Sequence, residues 1–100
     1  MESKIINNSG IFEITGSIVT DNATTIKNHF ERLLDKSEEL IMNLDRVNTI
    51  DATGVNVLSN LYKKAIQKNK ALYIIGKENS NLKEAFSATK MDYILSRDFV

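Results

Sequence analysis

The chain has no cysteine, no proline and no tryptophan among its 100 residues, and only one histidine, His29. Without cysteine, disulfides, thiolate metal sites and a cysteine nucleophile are excluded together. A single imidazole cannot build a multi-histidine metal centre, and no catalytic scheme that needs a second one is available. With proline absent and four glycines dispersed, no linker-like tract divides the sequence, which reads as a single domain over residues 1–100. No apolar run approaches the roughly 20 residues needed to cross a bilayer. The N-terminus lacks the basic region and apolar core of a secretory leader, so a cytoplasmic location without membrane insertion is expected. Charge of one sign is also missing: 13 basic and 13 acidic side chains cancel. No long-range field draws the chain to nucleic acid or to an anionic membrane.

What is present is a regular alternation of strand-like and helix-like segments, in a chain whose 42% hydrophobic content is enough for one core. Lys4 to Asn8 and Ile11 to Thr15 are short strand-like runs separated by Ser9-Gly10, and they read as an antiparallel hairpin. Phe12 and Ile14 share one face of the second run, with Glu13 and Thr15 on the other. Gly16 to Thr20 leads into a helix in which Ala23, Ile26, Phe30, Leu33 and Leu34 recur at spacings of three and four. Asp21 or Asn22 is its expected N-cap, because either side chain can accept from an unpaired first-turn N–H. The apolar run Leu40 to Leu44 reads as a buried strand. A second helix face follows through Val55, Leu58, Ser59, Tyr62, Ala65 and Ile66, with Lys63, Lys64, Gln67 and Lys68 on its outside. Ala71 to Ile75 is a further buried strand, closed by Gly76. A third helix turns Leu82, Ala85 and Phe86 inward, with Asn81 and Glu84 spaced as a capping box. Tyr93 to Leu95 and Phe99-Val100 read as a short strand or helix. The order strand, strand, helix, strand, helix, strand, helix contains two βαβ crossovers and predicts an α/β fold. Its sheet is mixed and mostly parallel, four- to five-stranded, with helices packed on it and the first strand antiparallel.

The most informative passage joins the strand ending at Leu44-Asp45, through a short turn at Val47-Asn48-Thr49-Ile50, to Asp51-Ala52-Thr53-Gly54-Val55 at the start of the second helix. The first turn of a helix leaves backbone N–H groups unpaired, so such a junction can face an anion or a partner. This passage, with Ile14-Thr15-Gly16-Ser17-Ile18 and Leu72 to Gly76 at matching distances, resembles the STAS domain family, which includes bacterial anti-sigma-factor antagonists. The resemblance runs from about Ile11 to about Leu95. It implies the STAS fold and a junction of the form Asp-Ser-Ser/Thr-Gly. In regulated members, an ATP-dependent anti-sigma kinase phosphorylates the serine after the Asp. A phosphate adds a charge of about −1.5 to −2 near neutral pH and can drive a partner away. Here that position is Ala52, which has no hydroxyl. Thr53 is the neighbouring hydroxyl and the remaining candidate for phosphorylation, although its first reading is a helix cap or a small residue packing near a partner. Asp51 is a cap or a partner contact. Gly54 allows close approach of another segment.

The resemblance implies a non-catalytic regulatory module, an anti-sigma-factor antagonist that binds an anti-sigma factor with a histidine-kinase-like ATPase domain. The expected contact surface is Ser17, Asp21, Asp51, Ala52, Thr53, Gly54 and Asn56. The alternative within the same resemblance is a cytoplasmic STAS subunit of a lipid-transport ABC complex, bound to a permease and its ATPase. An enzyme is not indicated, since no nucleophile, base and charge-stabilising set can be assembled. Gly76-Lys77 lacks the rest of a phosphate-binding loop. Asp21, Asp45 and Asp51 lack the tight spacing of a calcium loop, so no metal or other cofactor is expected. His29 sits at the edge of an apolar helix face, and Lys63, Lys64, Lys68 and Lys70 form a solvated face.

Overall fold

In the computed structural model, which describes residues 4–76 and 78–96, the hairpin forms as expected. Strand β1 (Lys4–Asn8) pairs antiparallel with β2 (Ile11–Ile18). Ser9 and Gly10 both take positive φ, 56° and 90°, the backbone combination that matches the twist of a tight hairpin. The Asn7 side chain closes the turn by accepting from Gly10 N–H at 3.0 Å. Strand β2 runs longer than Thr15. It continues to Ile18 through Gly16 (φ 92°), where the register shifts and a residue with a side chain would be strained.

Helix α1 (Thr20–Lys36) leads to β3 (Glu39–Asn43), β4 (Val47–Ile50), helix α2 (Ala52–Gln67), β5 (Ala71–Ile75) and helix α3 (Ser80–Ala88). A 3₁₀ turn at Asp92–Ile94 and the short β6 (Leu95–Ser96) follow. The main sheet runs β1-β2-β3-β5-β6, and every pairing in it except β1 with β2 is parallel. This is the mixed, mostly parallel α/β architecture expected. Phe99-Val100 and Lys77 lie outside the described residues.

One segment differs. Val47–Ile50 is a strand rather than a turn, and it pairs in parallel with the second half of β2. Four residues with two exposed polar side chains carry too little alternation to announce a strand. What fixes it is the extension of β2, which offers Gly16, Ser17 and Ile18 as pairing partners.

The helices bury the faces their spacing indicated. Ala23, Ile26, Phe30 and Leu34 of α1 are buried, with Phe12 of β2 edge-on to Phe30 at 5.9 Å between ring centroids. The buried side of α2 is wider than its apolar spacing suggested, because the helix packs against α1, β5, β4 and α3. Val57 and Leu61 are buried there, whereas Ile66 is 60% exposed. Each fully buried Leu or Ile of this core contributes about 1.5–3 kcal/mol relative to exposure.

The lysines do not all form a solvated face. Lys64 pairs with Glu31 at 3.1 Å, Lys68 with Asp35, and Lys70 donates to the carbonyl of Leu34. Long cationic side chains at and just beyond the end of α2 thus reach across to α1, Lys64 and Lys68 to carboxylates and Lys70 to a carbonyl of its last turn. His29 is half-buried and edge-on to Phe30 at 5.2 Å.

Candidate functional site

Because β2 and β4 are parallel neighbours, with Ile18 opposite Ile50, their two strand-to-helix junctions lie side by side. The backbone confirms the alignment: Asp51 N–H donates to the Ile18 carbonyl at 3.3 Å. Helices α1 and α2 therefore start at the same place, and their first turns share one hydrogen-bonded group.

Asp51 is the centre of that group. As the N-cap of α2, its Oδ1 accepts from Gly54 N–H at 2.9 Å, satisfying one of the donors that a helix start leaves free. Its Oδ2 accepts from both the N–H and the hydroxyl of Thr20, each at 3.0 Å. Partial burial pushes the Asp51 carboxyl up. The donors from Gly54 and Thr20 together outweigh it and hold the group below the usual carboxylate range.

Thr20 Oγ1 also lies 3.2 Å from Thr53 Oγ1. A hydroxyl has one proton, and an ionised carboxylate only accepts. Thr20 therefore gives its proton to Asp51, and Thr53 donates to Thr20. The order Thr53, Thr20, Asp51 is a directed chain of hydrogen bonds ending on a charge.

Residues around this group divide by exposure. Asp21, Ala52, Thr53 and Asn56 are exposed and Asp51 is half-buried. Ser17 is 1% exposed and Gly54 is buried, so neither offers a side-chain contact surface. A Cβ on Gly54 would stand 2.3 Å from the backbone oxygen of Ile18 and 2.9 Å from Ile50 Cγ1. Glycine is there so that α2 can start against β2 and β4. The expected contact set thus contains two residues that build the junction from behind.

The cap of α1 also differs from expectation. Val19 holds the N-cap position, and neither Asp21 nor Asn22 does. Asn22, in the first turn, reaches back: its Oδ1 accepts from Val19 N–H and its Nδ2 donates to the Ser17 carbonyl, both at 2.9 Å. An amide that both donates and accepts can fasten the helix start to the preceding strand from inside the helix, which a sequence-order cap rule does not anticipate. Asn79 plays the larger part at α3, in place of Asn81 with Glu84. Its Oδ1 accepts from the N–H groups of Asn81 at 3.0 Å and Leu82 at 3.4 Å. Its Nδ2 lies 2.9 Å, 3.2 Å and 2.7 Å from the carbonyls of Leu44, Asp45 and Val47.

Thr20 and Asn79 are the two residues that sequence reading missed. A hydroxyl at a strand-to-helix junction was a usable signal for Thr20. For Asn79, one residue before a Ser-Asn pair, none of the local patterns separated it from its neighbours. Among the described residues, no group of three or more His, Asp or Glu side chains could hold a metal ion, so Asp21, Asp45 and Asp51 form no such cluster. Among the described residues, no helix is long and apolar enough to cross a membrane.

Comparison with known proteins agrees on one architecture. The family model for the STAS domain matches residues 1–97. The anti-sigma factor antagonist SpoIIAA, in its unphosphorylated form, superposes with a TM-score of 0.73 over 95% of this chain and 86% of its own, at 10% identity. An anti-sigma factor antagonist from Mycobacterium paratuberculosis gives 0.70 at 15% identity, covering 94% of this chain and 81% of its own. A sulfate transporter family protein from Wolinella succinogenes gives 0.66 at 22% identity, covering 91% and 75%. No curated protein sequence matches the chain significantly.

Proposed function

The chain belongs to the STAS domain family, and from this premise we propose that it is a non-catalytic, cytoplasmic regulatory module that acts by binding another protein. The contact surface is the paired start of α1 and α2, with Asp21, Ala52, Thr53 and Asn56 outermost and Asp51 behind them. The observation that carries this reading is the Asp51–Thr20–Thr53 group. It fixes an exposed polar surface on two helix starts. Pre-organised surfaces of this kind bind with little ordering cost.

Likeness to two anti-sigma factor antagonists supports the specific role: binding an anti-sigma factor with a histidine-kinase-like ATPase domain. Ala52 then makes the module constitutively competent at the position where its regulated relatives carry the phosphoserine. Two experiments test this. Affinity purification from the native cell is expected to recover a protein with such an ATPase domain. Ala52→Ser is expected to accept phosphate from that partner in the presence of ATP and to lose binding. A partner that ignores the new serine would remove the anti-sigma reading.

Ala52 itself favours a second reading, since a subunit with no phosphorylation switch needs no serine there. In that reading the chain is an accessory STAS subunit of a lipid-transport ABC complex, and likeness to a sulfate transporter family protein is compatible with it. Recovery of a permease and ATPase in the same purification would establish it. Phosphate found on Thr53 in either complex would show regulation displaced by one residue.

A further inference from the structure

We propose that the hollow between β4 and α3 is the second half of the partner-binding surface and receives a basic, apolar-containing segment of the partner protein. This rests on the reading of the chain as a protein-binding module. The hollow encloses about 270 Å³ between Asn48, Thr49 and Ile50 of β4 and Asn81, Glu84, Ala85 and Ala88 of α3. That volume is below the roughly 300–1,000 Å³ typical of small-molecule pockets. It suits one or two side chains of an approaching segment.

Position is the first argument. Ile50 is the residue before Asp51, so one end of the hollow opens directly beside the first turn of α2. Only Asp51 separates Ala52 from Ile50 of the hollow's lining along the chain. Rigidity is the second. Asn79 ties α3 to the carbonyls of Leu44, Asp45 and Val47, and Asn81 Nδ2 donates to the Asn48 carbonyl at 3.0 Å. Both walls are therefore set before anything binds, which lowers the cost of docking.

Charge decides the occupant. Ile50 and Ala85 are half-buried and supply an apolar floor, with Ala88 leaving space above it. Glu84 is the one ionisable side chain in the lining, and it is exposed. Lys68 and Lys70 are engaged with Asp35 and the Leu34 carbonyl at the far ends of α1 and α2. Complementarity of this kind favours a cationic partner and disfavours an acidic one.

The test places a photo-crosslinking benzoylphenylalanine in the full chain, at Ala88 in one variant and at Asn56 in another, in the native cell. The crosslinked segment is then sequenced by mass spectrometry. One protein caught at both positions, through a segment at Ala88 that carries Lys or Arg beside apolar residues, is the expected result. Glu84→Lys should then weaken that complex about tenfold, and reversing the charge of the partner's residue should recover most of the loss. Capture at Asn56 without capture at Ala88 overturns the second half of the surface and leaves the binding-module reading intact. Capture at neither position removes both. A second copy of this chain or an acidic segment at Ala88 overturns the proposed occupant.

Discussion

Asp51 accepts both the backbone N–H and the hydroxyl of Thr20 at 3.0 Å, across 31 residues of sequence. One carboxylate thereby joins the first turns of α1 and α2, and the same side chain caps α2 through Gly54 N–H. Ala52 and Thr53 are displayed from a fixed frame rather than from a loop. A phosphoryl group introduced at Ala52→Ser would stand beside an ionised carboxylate already committed to three donors. The repulsion would fall on the link between the two helices.

Removing that carboxylate should cost stability in a graded way. Asp51→Ala leaves the Gly54 N–H and the Thr20 donors without their acceptor, and a loss of about 1–2 kcal/mol is expected from the cap. Asp51→Asn retains an oxygen for Gly54 and should lose less. Thr20→Val removes only the hydroxyl link and is expected to cost about 0.5–1.5 kcal/mol. Urea unfolding of the three variants checks the order. Equal stability of Asp51→Ala and the parent chain would show that solvent replaces the whole group.

The same group sets an acid limb of stability. Asp51 is held below the usual carboxylate range because the donors from Gly54 and Thr20 outweigh the upward push of its burial. Asp35 is lowered by its hydrogen bond and ion pair with Lys68. A carboxyl with a depressed folded-state pKa contributes fully above its unfolded value, about 3.9 for Asp. That contribution is lost as pH falls through the lower, folded value. Stability should therefore be flat in this respect near neutrality and decline below about pH 4. Denaturant midpoints measured down the acid limb should fall less steeply for Asp51→Asn. Parallel curves for variant and parent would mean that Asp51 titrates alike in the folded and unfolded chain.

Much of the architecture was legible because long periodic segments leave little choice. Ala23, Ile26, Phe30 and Leu34 mark a helix face in any context, and Leu72 with Ile74 mark a buried strand. Val47–Ile50 was not legible, since Asn48 and Thr49 are polar and exposed and the strand exists only beside an extended β2. Asp51 could be read as a cap, because capping is local. Its bond to Thr20 could not, because it depends on β2 and β4 lying side by side. Ser17 and Gly54 belong to the right region, but their burial follows from the same juxtaposition. The β4–α3 hollow has no sequence signal at all. It arises where Asn79 and Asn81 hold two segments separated by more than 30 residues.

Gly54 offers a test in which two effects have opposite signs. Alanine is the better helix former by about 1 kcal/mol. Its Cβ, however, would meet the backbone oxygen of Ile18 at 2.3 Å and Ile50 Cγ1 at 2.9 Å. A side chain can rotate away, but the Ile18 carbonyl belongs to a paired strand, so steric overlap should win. Overpacking of this type costs about 1–3 kcal/mol or more, and each kcal/mol lowers the Tm of a domain this size by about 4–8 °C. Gly54→Ala should unfold at lower temperature in calorimetry and bind its partner more weakly. A raised Tm would mean that propensity prevails and that the junction has room to relax.

Asn79 separates donor from acceptor roles at the other connection. Its Nδ2 has two protons within reach of three carbonyls, those of Leu44, Asp45 and Val47, while Oδ1 caps α3. Asn79→Ala removes both functions and should cost about 1–3 kcal/mol, since the carbonyls and the α3 N–H groups lose their partner together. Asn79→Asp keeps the capping oxygen but sets a negative charge against those carbonyls. At neutral pH it should be at least as damaging as alanine. Its folded-state pKa would be raised, so its deficit should narrow as acid protonates the new carboxyl and restores one donor. Unfolding of the parent, Asn79→Ala and Asn79→Asp at pH 7 and again at pH 4.5 measures this. If Asn79→Asp matches the parent at both values, the donor contacts contribute nothing and α3 is held by its apolar face alone.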